Sequence, residues 1–292
     1  MKLSCLPVSF FAEILEGRMT VPEWARMGRE LGLDGIDISI LFAPDRSPAA
    51  IAALRRAVAD EGTRFVMVTT YPDFTHPDPA QRIKELALEQ EAIEVAAGLG
   101  AELVRVTAGQ AHPETSRADG IEWAADGLCR LQEWARGSGV TLAYENHAKP
   151  GVWQHTDFCQ PPDVFLEIAR RTEASGLGIN FDVGNAAAYC DDPRALLEAV
   201  LPRIVSIHAS DTAARGALQH VLLGTGVTPY AELFGRLVEA GWDGWVCMEE
   251  ASRMGRDGVA AAAAFVRRTW EAAERAAVAV PALHGTGAGD AA

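Results

Sequence analysis

The chain has 292 residues, 49% of them hydrophobic and 23% charged, which describes an ordinary globular protein and excludes collagenous, coiled-coil and disordered chains. Its formal charge of −14, from 26 basic and 40 acidic residues, repels phosphate backbones and acidic lipid headgroups. We therefore expect a small-molecule substrate, with neither nucleic acid nor a membrane as partner.

The first residues, MKLSCLPVSFFAEILEG, make a weak signal peptide because they carry one lysine and an apolar patch interrupted by Pro7 and Glu13. No segment approaches the ~20 consecutive apolar residues of a membrane span. The five cysteines are widely scattered and lack a CxxC pair. They are typical of reduced thiols, so we expect a cytoplasmic protein.

Eight short β-rich apolar runs alternate with longer amphipathic stretches rich in Ala, Leu, Glu and Arg. The predicted strands span residues 3–9, 35–39, 64–69, 102–107, 140–146, 177–182, 203–209 and 244–249. Most of the intervening helical stretches end on glycine, as helix C-caps often do. Eight strand-and-helix units in one chain predict a single (β/α)₈ TIM barrel, which typically needs about 250 residues. No GxGxxG follows the first strand, which disfavours an open dinucleotide-binding sheet.

The barrel is predicted to form one catalytic domain over residues 1–278. Beyond it, the sequence PALHGTGAGDAA loses all hydrophobic periodicity. We therefore predict a disordered tail over residues 279–292.

Four ionisable residues lie at the ends of four consecutive predicted strands: Glu145, Asp182, His208 and Glu249. The chemistry of a TIM barrel lies at the carboxyl ends of its strands, so these side chains are expected at one level of the barrel mouth. Each alone has a simpler explanation as a solvated strand end, a helix cap or a core histidine. Together they would repel one another without a cation, and we predict one bound divalent metal ion. Strand alternation turns Glu250 outward and favours Glu249 as the ligand.

The predicted ligand set is rich in oxygen and contains no thiolate. Such a site favours Mn²⁺, with Mg²⁺ or Co²⁺ as alternatives, over structural Zn²⁺. The residues two positions upstream share the inward parity of the ligands and are small: Ala143, Asn180, Ser206 and Cys247. They would leave room beneath an ion.

Three basic residues could meet a phosphate, a carboxylate or an oxyanion of the substrate: Arg105, Lys149 and Arg215. Surface ion pairing is the ordinary alternative for each of them. His147 shares the inward parity of Glu145 and could contact the substrate, or be a solvated loop histidine.

The loops contain three further candidates. Trp153 lies in a long segment after the fifth strand and could lie against a sugar ring or an aromatic aglycone, or anchor its loop. Asp211 could orient a metal ligand or cap the following turn. The sequence GTG at 224–226 could cradle a phosphate or form a flexible loop.

Four segments resemble the metal-ligand segments of the xylose-isomerase-like barrels, the sugar (phosphate) isomerase/epimerase family: YENH around Glu145, NFDVGN around Asp182, SIHASD around His208 and GWDGWVCMEE around Glu249. The resemblance covers nearly the whole chain, from the opening strand to FVRRTW. It implies that all four residues bind the metal and that the two glutamates also move protons. Relatives that epimerise free ketoses often have His where this chain has Asn185, so this predicted substrate contact departs from the family pattern.

These features predict a divalent-metal-dependent isomerase or epimerase of a small sugar or keto-polyol, phosphorylated or not. Glu145 and Glu249 would remove and return a proton through a metal-bound enediolate. Loss of a β-hydroxyl from that enediolate would instead make a dehydratase of a keto-inositol or dehydroshikimate-like compound. Cleavage of damaged DNA, known from a related barrel family, would need more metal-binding histidines and a basic face. A non-catalytic metal-bearing subunit, and assembly as a homo-oligomer, stay open alternatives.

Overall fold

Eight parallel strands form the centre of the computed structural model, which describes residues 1–149 and 151–279. They are β1 (Lys2–Leu6), β2 (Ile36–Ser39), β3 (Phe65–Thr69), β4 (Leu103–Val106), β5 (Thr141–Glu145), β6 (Gly178–Asp182), β7 (Ile204–Ala209) and β10 (Trp245–Glu249). The predicted TIM barrel is confirmed, and each predicted strand overlaps one of these eight. The first ends at Leu6 because Pro7, which lacks an N–H, cannot continue a strand ladder.

Helices surround the barrel and follow the strands in chain order. They are α1 (Phe11–Leu15), α2 (Val21–Glu30), α3 (Pro48–Asp60), α4 (Pro79–Leu99), α5 (Arg117–Ala135), α6 (Pro162–Arg171), α7 (Val183–Tyr189), α8 (Pro193–Val200), α9 (Tyr230–Glu239) and α10 (Gly255–Ala279). Thr20 and Glu23 form a capping box that starts α2, and Gly100 ends α4 at a φ of 75°, which glycine adopts without strain. No helix in the described ranges is long and apolar enough to span a membrane.

The predicted tail begins inside the structure and continues beyond it. Ala279, its first residue, is the last residue of α10. Residues 280–292 lie outside the described residues, so the tail stays a prediction.

The strands hydrogen-bond in the order β1-β10-β7-β6-β5-β4-β3-β2. Two aspartates connect the ends of this series, β1 and β2. Asp34 accepts a hydrogen bond from the Leu3 backbone N–H at 2.9 Å, and Asp37 accepts one from the Ser4 hydroxyl at 2.7 Å. Asp37 also accepts the Met67 N–H, at a bulge where the β2–β3 register shifts. The backbone N–H of Asp34 also donates to the Leu3 carbonyl at 2.8 Å, so side-chain and backbone hydrogen bonds together complete a nearly closed barrel.

An antiparallel hairpin, β8 (Thr212–Ala214) and β9 (Ala217–His220), projects after β7. The alternation of strands and helices did not predict it, because both strands are short and largely exposed. It adds a wall to the carboxyl end of the barrel, where the candidate site lies.

Candidate metal centre

Three buried ligand-type side chains meet at the carboxyl end of the barrel. Glu145 ends β5, Asp182 ends β6 and His208 is the penultimate residue of β7, and their ligand atoms all lie within 4.8 Å of one another. Glu249 ends β10 and places Oε1 3.2 Å from Nδ1 of His208. The four side chains converge because β5, β6, β7 and β10 are successive neighbours in the sheet.

Glu250 is turned away from this cluster. Its side chain is buried on the other face of the strand end, where Oε1 accepts the Ser252 N–H at 2.9 Å. The structure therefore places Glu249, rather than Glu250, against His208.

Opposite charges dominate the electrostatics of the cluster. Nδ1 of His208 lies 2.5 Å from Oε1 of Glu145. Burial lowers the pKa of His208, but the charges of Glu145 and Glu249 outweigh it and raise that pKa to about 9. Burial raises the pKa of Glu145, but His208 and Arg105 outweigh it and lower that pKa to about 2. Burial, followed by the charges of Glu249 and Glu145, raises the pKa of Asp182 well above its usual range.

Three atoms of the cluster are buried and lack a hydrogen-bond partner among the described residues: Oε2 of Glu145, Oδ2 of Asp182 and Nδ1 of His208. Two of these atoms nevertheless lie within ion-pair distance of a neighbour. Nδ1 of His208 is 2.5 Å from Oε1 of Glu145, and Oε2 of Glu145 is 3.1 Å from Nε of Arg105, so Oδ2 of Asp182 is the atom left without either kind of contact among the described residues. Buried polar atoms are seldom left unpaired, and two carboxylates with one imidazole nitrogen are ligands suited to a divalent cation. The residues therefore fit a metal ion, with Glu249 as a fourth ligand.

A hydrogen-bond network supports the carboxylates from below and from the side. Asn180 donates to Oε1 of Glu145 at 2.8 Å, and Ser206 donates to Asn180 at 2.7 Å. The hydroxyl of Ser210 donates to Oδ1 of Asp182 at 2.9 Å. Asn180 and Ser206 belong to the small inward layer identified from strand parity. Ser210 was missed because it follows the strand, where alternation no longer applies.

The second ring nitrogen of His208 faces a thioether. Nε2 lies 3.2 Å from Sδ of Met67 on β3, and both side chains are fully buried. Metal-binding histidines usually donate their other N–H to a carboxylate or a carbonyl oxygen. A thioether sulfur is a weaker hydrogen-bond acceptor than either of these, which makes Met67 an unusual partner at this position. Sequence analysis missed Met67, because a contact across the barrel leaves no local signal in the sequence.

Arg105 is bonded to other groups of the protein and is not free to bind a substrate anion. Its Nε lies 3.1 Å from Oε2 of Glu145, and its Nη1 donates to the Thr70 carbonyl at 2.7 Å. Its guanidinium lies 4.9 Å from the ring centroid of Tyr71. Its charge thus keeps Glu145 ionised.

A cavity of about 450 Å³ opens above the cluster at the barrel mouth. Its polar lining includes Glu249 and four predicted substrate contacts: Arg105, His147, Lys149 and Asn185. His147 is held by Asp157, whose Oδ2 lies 3.2 Å from Nδ1. Oδ1 of Asn185 is buried without a partner in the described part of the chain, which leaves it available to a ligand. Sequence analysis missed Tyr71 and His220 in this lining.

Two predicted substrate contacts do not line this cavity. Arg215 lies in the exposed turn of the hairpin, where it donates to the Cys190 carbonyl at 2.7 Å. Trp153 is buried in its loop, with its ring edge-on to His147 at a centroid distance of 6.2 Å. Trp153 therefore anchors the segment after β5, the alternative stated above.

Asp211 caps a loop and does not contact the predicted ligands. Its buried carboxylate accepts backbone N–H groups at distances of 2.9 to 3.1 Å from four residues: Thr212, Gly224, Gly226 and Thr228. The N–H groups of both glycines in the GTG sequence are thus occupied by an internal carboxylate, which fills the place of a bound phosphate there.

An eight-stranded barrel that brings Glu145, Asp182 and His208 together at its carboxyl end, with Glu249 beside them, is a TIM barrel with a candidate metal site. The family model described as "Xylose isomerase-like TIM barrel" matches residues 25–269, and the chain belongs to this family, as the sequence predicted.

Relatives of this chain include the L-ribulose-5-phosphate 3-epimerase UlaE of Shigella boydii serotype 18, which is 24% identical and covers 93% of this chain and 95% of its own length. Among solved structures, a D-tagatose 3-epimerase-like protein has a TM-score of 0.77 at 20% identity, covering 94% of this chain and 99% of its own. The IOLI protein, crystallised with a zinc atom, has a TM-score of 0.76 at 17% identity, with coverages of 93% and 99%. At these identities the structural matches establish the fold.

Proposed function

We propose that this chain is a divalent-metal-dependent isomerase or epimerase of a small sugar or keto-polyol. The observation that supports the proposal is the convergence of Glu145, Asp182, His208 and Glu249 at the carboxyl end of the barrel. Glu249 lines the cavity there, and Oδ2 of Asp182 is buried without a hydrogen-bond partner among the described residues. The names of the curated relatives and of several solved neighbours, which are sugar epimerases, agree with this reaction class.

A divalent ion in this site, with Mn²⁺ favoured by the oxygen-rich donors, would polarise the substrate carbonyl and acidify the neighbouring C–H. Glu145, which Arg105 keeps ionised, would accept that proton. Glu249, which lines the cavity and would be protonated from solvent, would return a proton to the other face of the same carbon. His147 and Asn185 line the same cavity and bind the substrate hydroxyls. General acid and base catalysis of this kind contributes about 10²–10⁴-fold.

Proton exchange with solvent tests the proposal directly. The protein is incubated with Mn²⁺ in D₂O with ketoses, ketose phosphates and keto-inositols, and each compound is followed by NMR. We expect deuterium at the carbon beside the carbonyl, an isomeric product and loss of both in EDTA. A product lighter by one water molecule would assign the dehydratase alternative. Absence of exchange with every compound, with metal bound, would overturn the proposal.

A further inference from the structure

One side of the cavity above the metal centre is apolar. Six hydrocarbon side chains line it: Leu6, Val8, Phe11, Leu15, Val152 and Leu218. They come from four places around the barrel mouth, namely the end of β1 and the residues after it, α1, the segment after β5, and β9 of the hairpin. Hydroxyl groups packed against such a wall would lose hydrogen bonds to water without replacement. The wall therefore suits a ligand with an apolar part.

The apolar wall is packed on the hydrophobic core at one side, and two of its side chains are exposed. Phe11 packs on Phe42 with ring centroids 4.7 Å apart, and Ile14 joins the hydrophobic core, so α1 is anchored on one face. Leu15 and Val152 nevertheless remain 51% and 58% exposed. Apolar side chains exposed beside convergent polar groups are typical of a binding surface for an apolar ligand group.

Few cationic donors remain in the cavity for a phosphate. Arg105 is occupied by Glu145 and the Thr70 carbonyl. Lys149 stands exposed at the rim, where its Nζ donates to the Gln154 carbonyl at 3.1 Å. His147 and His220 also line the cavity, but His147 is held by Asp157. A phosphate is normally held by several charge-assisted hydrogen bonds, and Lys149 and His220 do not supply a cluster of this kind.

The glycine loop gives no substitute for those donors. The N–H groups of Gly224 and Gly226 point to Oδ2 of Asp211, each at 2.9 Å. Asp211 is 1% exposed, so its negative charge is built into the position that an anion would take. A phosphate at this loop would meet a carboxylate there.

We infer that the substrate is an unphosphorylated keto sugar or keto-polyol that carries an alkyl or aryl substituent, and that Leu15 and Val152 contact this substituent. The inference rests on the proposed function, because it names the substrate class of the same site. The metal cluster and Asn185 bind the polar carbonyl end, and the apolar wall binds the substituent.

The first test compares hexosides that carry a free keto group on a ring carbon other than the anomeric carbon and that differ in the aglycone. Values of kcat/KM are measured by deuterium exchange with Mn²⁺ for the phenyl glycoside, the methyl glycoside, the free ketose and the ketose phosphate. We expect the phenyl compound to exceed the methyl compound by about tenfold or more, as expected for added hydrocarbon in an apolar pocket. A ketose phosphate that is the best substrate, and that loses its advantage in Lys149→Gln, would overturn the inference while leaving the proposed function intact.

Two variants connect the preference to the wall. In Leu15→Asn and Val152→Asn the ratio of phenyl to methyl kcat/KM should fall by about tenfold. Both positions are about half exposed, so folding should not change. Ile83→Asn is the matched control, because Ile83 is 65% exposed on α4 and lines a different cavity. An unchanged ratio in both wall variants would assign the wall another role and contradict the inference.

Calorimetric binding separates the inference from the proposed function. The phenyl and methyl glycosides are titrated into the Mn²⁺-loaded protein, whether or not turnover is detected. Tighter binding of the phenyl compound, weakened in Leu15→Asn, supports the subsite even if no compound exchanges its proton. Equal binding of the two compounds contradicts the subsite even if turnover is found.

Discussion

At the residue scale, the two glutamates of the cluster have different surroundings. Glu145 is buried and bonded to Asn180 and Arg105, whereas the Glu249 side chain is 13% exposed to the cavity. We predict that Glu249→Gln and Glu145→Gln each lower kcat by about 10²–10⁴-fold, because glutamine keeps a ligand oxygen but cannot accept the proton. Turnover is measured beside the metal content of each purified variant.

Glu250→Gln is the matched control for this pair, since Glu250 is adjacent in sequence but contacts Ser252. It should keep nearly parental turnover. Loss of activity in Glu250→Gln alone would move the proton carrier to Glu250, and normal turnover in both other variants would refute the two-glutamate mechanism.

The thioether contact of His208 makes a second prediction at this scale. Met67→Leu removes the sulfur acceptor beside Nε2 and should weaken Mn²⁺ binding by about tenfold, because partners of ligating histidines typically contribute 10–100-fold in affinity. The dissociation constant is measured by calorimetric titration. Met248→Leu, at another fully buried methionine that packs in the main core, should bind Mn²⁺ normally. Equal affinities in the two variants would contradict a positioning role for Met67.

Strand parity was sufficient to predict that the four candidate ligands converge, but not what surrounds them. A residue at the end of a strand inherits its direction from the pleat, which is why Glu249 could be chosen over Glu250 from sequence. Contacts across the barrel depend on closure of the whole sheet, so the pairing of Met67 with His208 had no local signal. Arg215 was a candidate because it is a basic residue in the loop after the seventh predicted strand, yet the unforeseen hairpin carries it into an exposed turn.

At the scale of elements, one carboxylate organises the loop between the hairpin and α9. We predict that Asp211→Ala lowers the free energy of unfolding by roughly 3 kcal/mol, because four backbone N–H groups lose a charged acceptor. Urea denaturation measures the change. Asp191→Ala, at an exposed aspartate near the hairpin, should change stability little. A loss no larger than that of the control would mean that water replaces the carboxylate.

The buried carboxyl group of Glu89 on α4 makes the free energy of unfolding depend on pH. Glu89 on α4 is buried, and burial is the main cause that raises its pKa from 4.5 to about 7, against the opposing hydrogen bond from Thr70. Below pH 4.5 the folded and unfolded chains both hold the proton, and the group has no effect. As pH rises toward 7, Glu89 ionises in the unfolded chain before it ionises in the folded chain. The free energy of unfolding therefore falls, by roughly 3 kcal/mol at pH 8.

We therefore predict that Glu89→Gln stabilises the fold at pH 8 and changes it little at pH 4. Urea denaturation at the two pH values gives the difference in free energy of unfolding. Glu94→Gln, at an exposed position of the same helix, should show no such pH dependence. A stabilisation in Glu89→Gln that is equal at both pH values would show that the proton is not the cause.

At the scale of the whole molecule, the four candidate ligands come from one half of the barrel. They come from β5, β6, β7 and β10, four strands that are consecutive in the sheet, while the side-chain junction between β1 and β2 lies outside this group. Eight strands were predictable because each repeats the same hydrophobic signal. The side-chain closure between β1 and β2 was not, because it depends on two aspartates whose partners lie about thirty residues away in sequence.

Because the ligands come from strands that separate on unfolding, a metal ion bound to the folded chain should stabilise the whole barrel. A free ion concentration of about 100 times the dissociation constant adds about 2.7 kcal/mol, which corresponds to a rise in Tm of about 4 °C for a protein of this size. Thermal unfolding followed by circular dichroism, with Mn²⁺, Co²⁺, Mg²⁺ or Zn²⁺ and then with EDTA, measures the rise and its reversal. His208→Ala should lose the shift because a ligand is removed, whereas His220→Ala, at an exposed histidine on β9, should keep it. A Tm that no divalent ion changes, or an equal shift in His208→Ala, would contradict a metal site at these four residues.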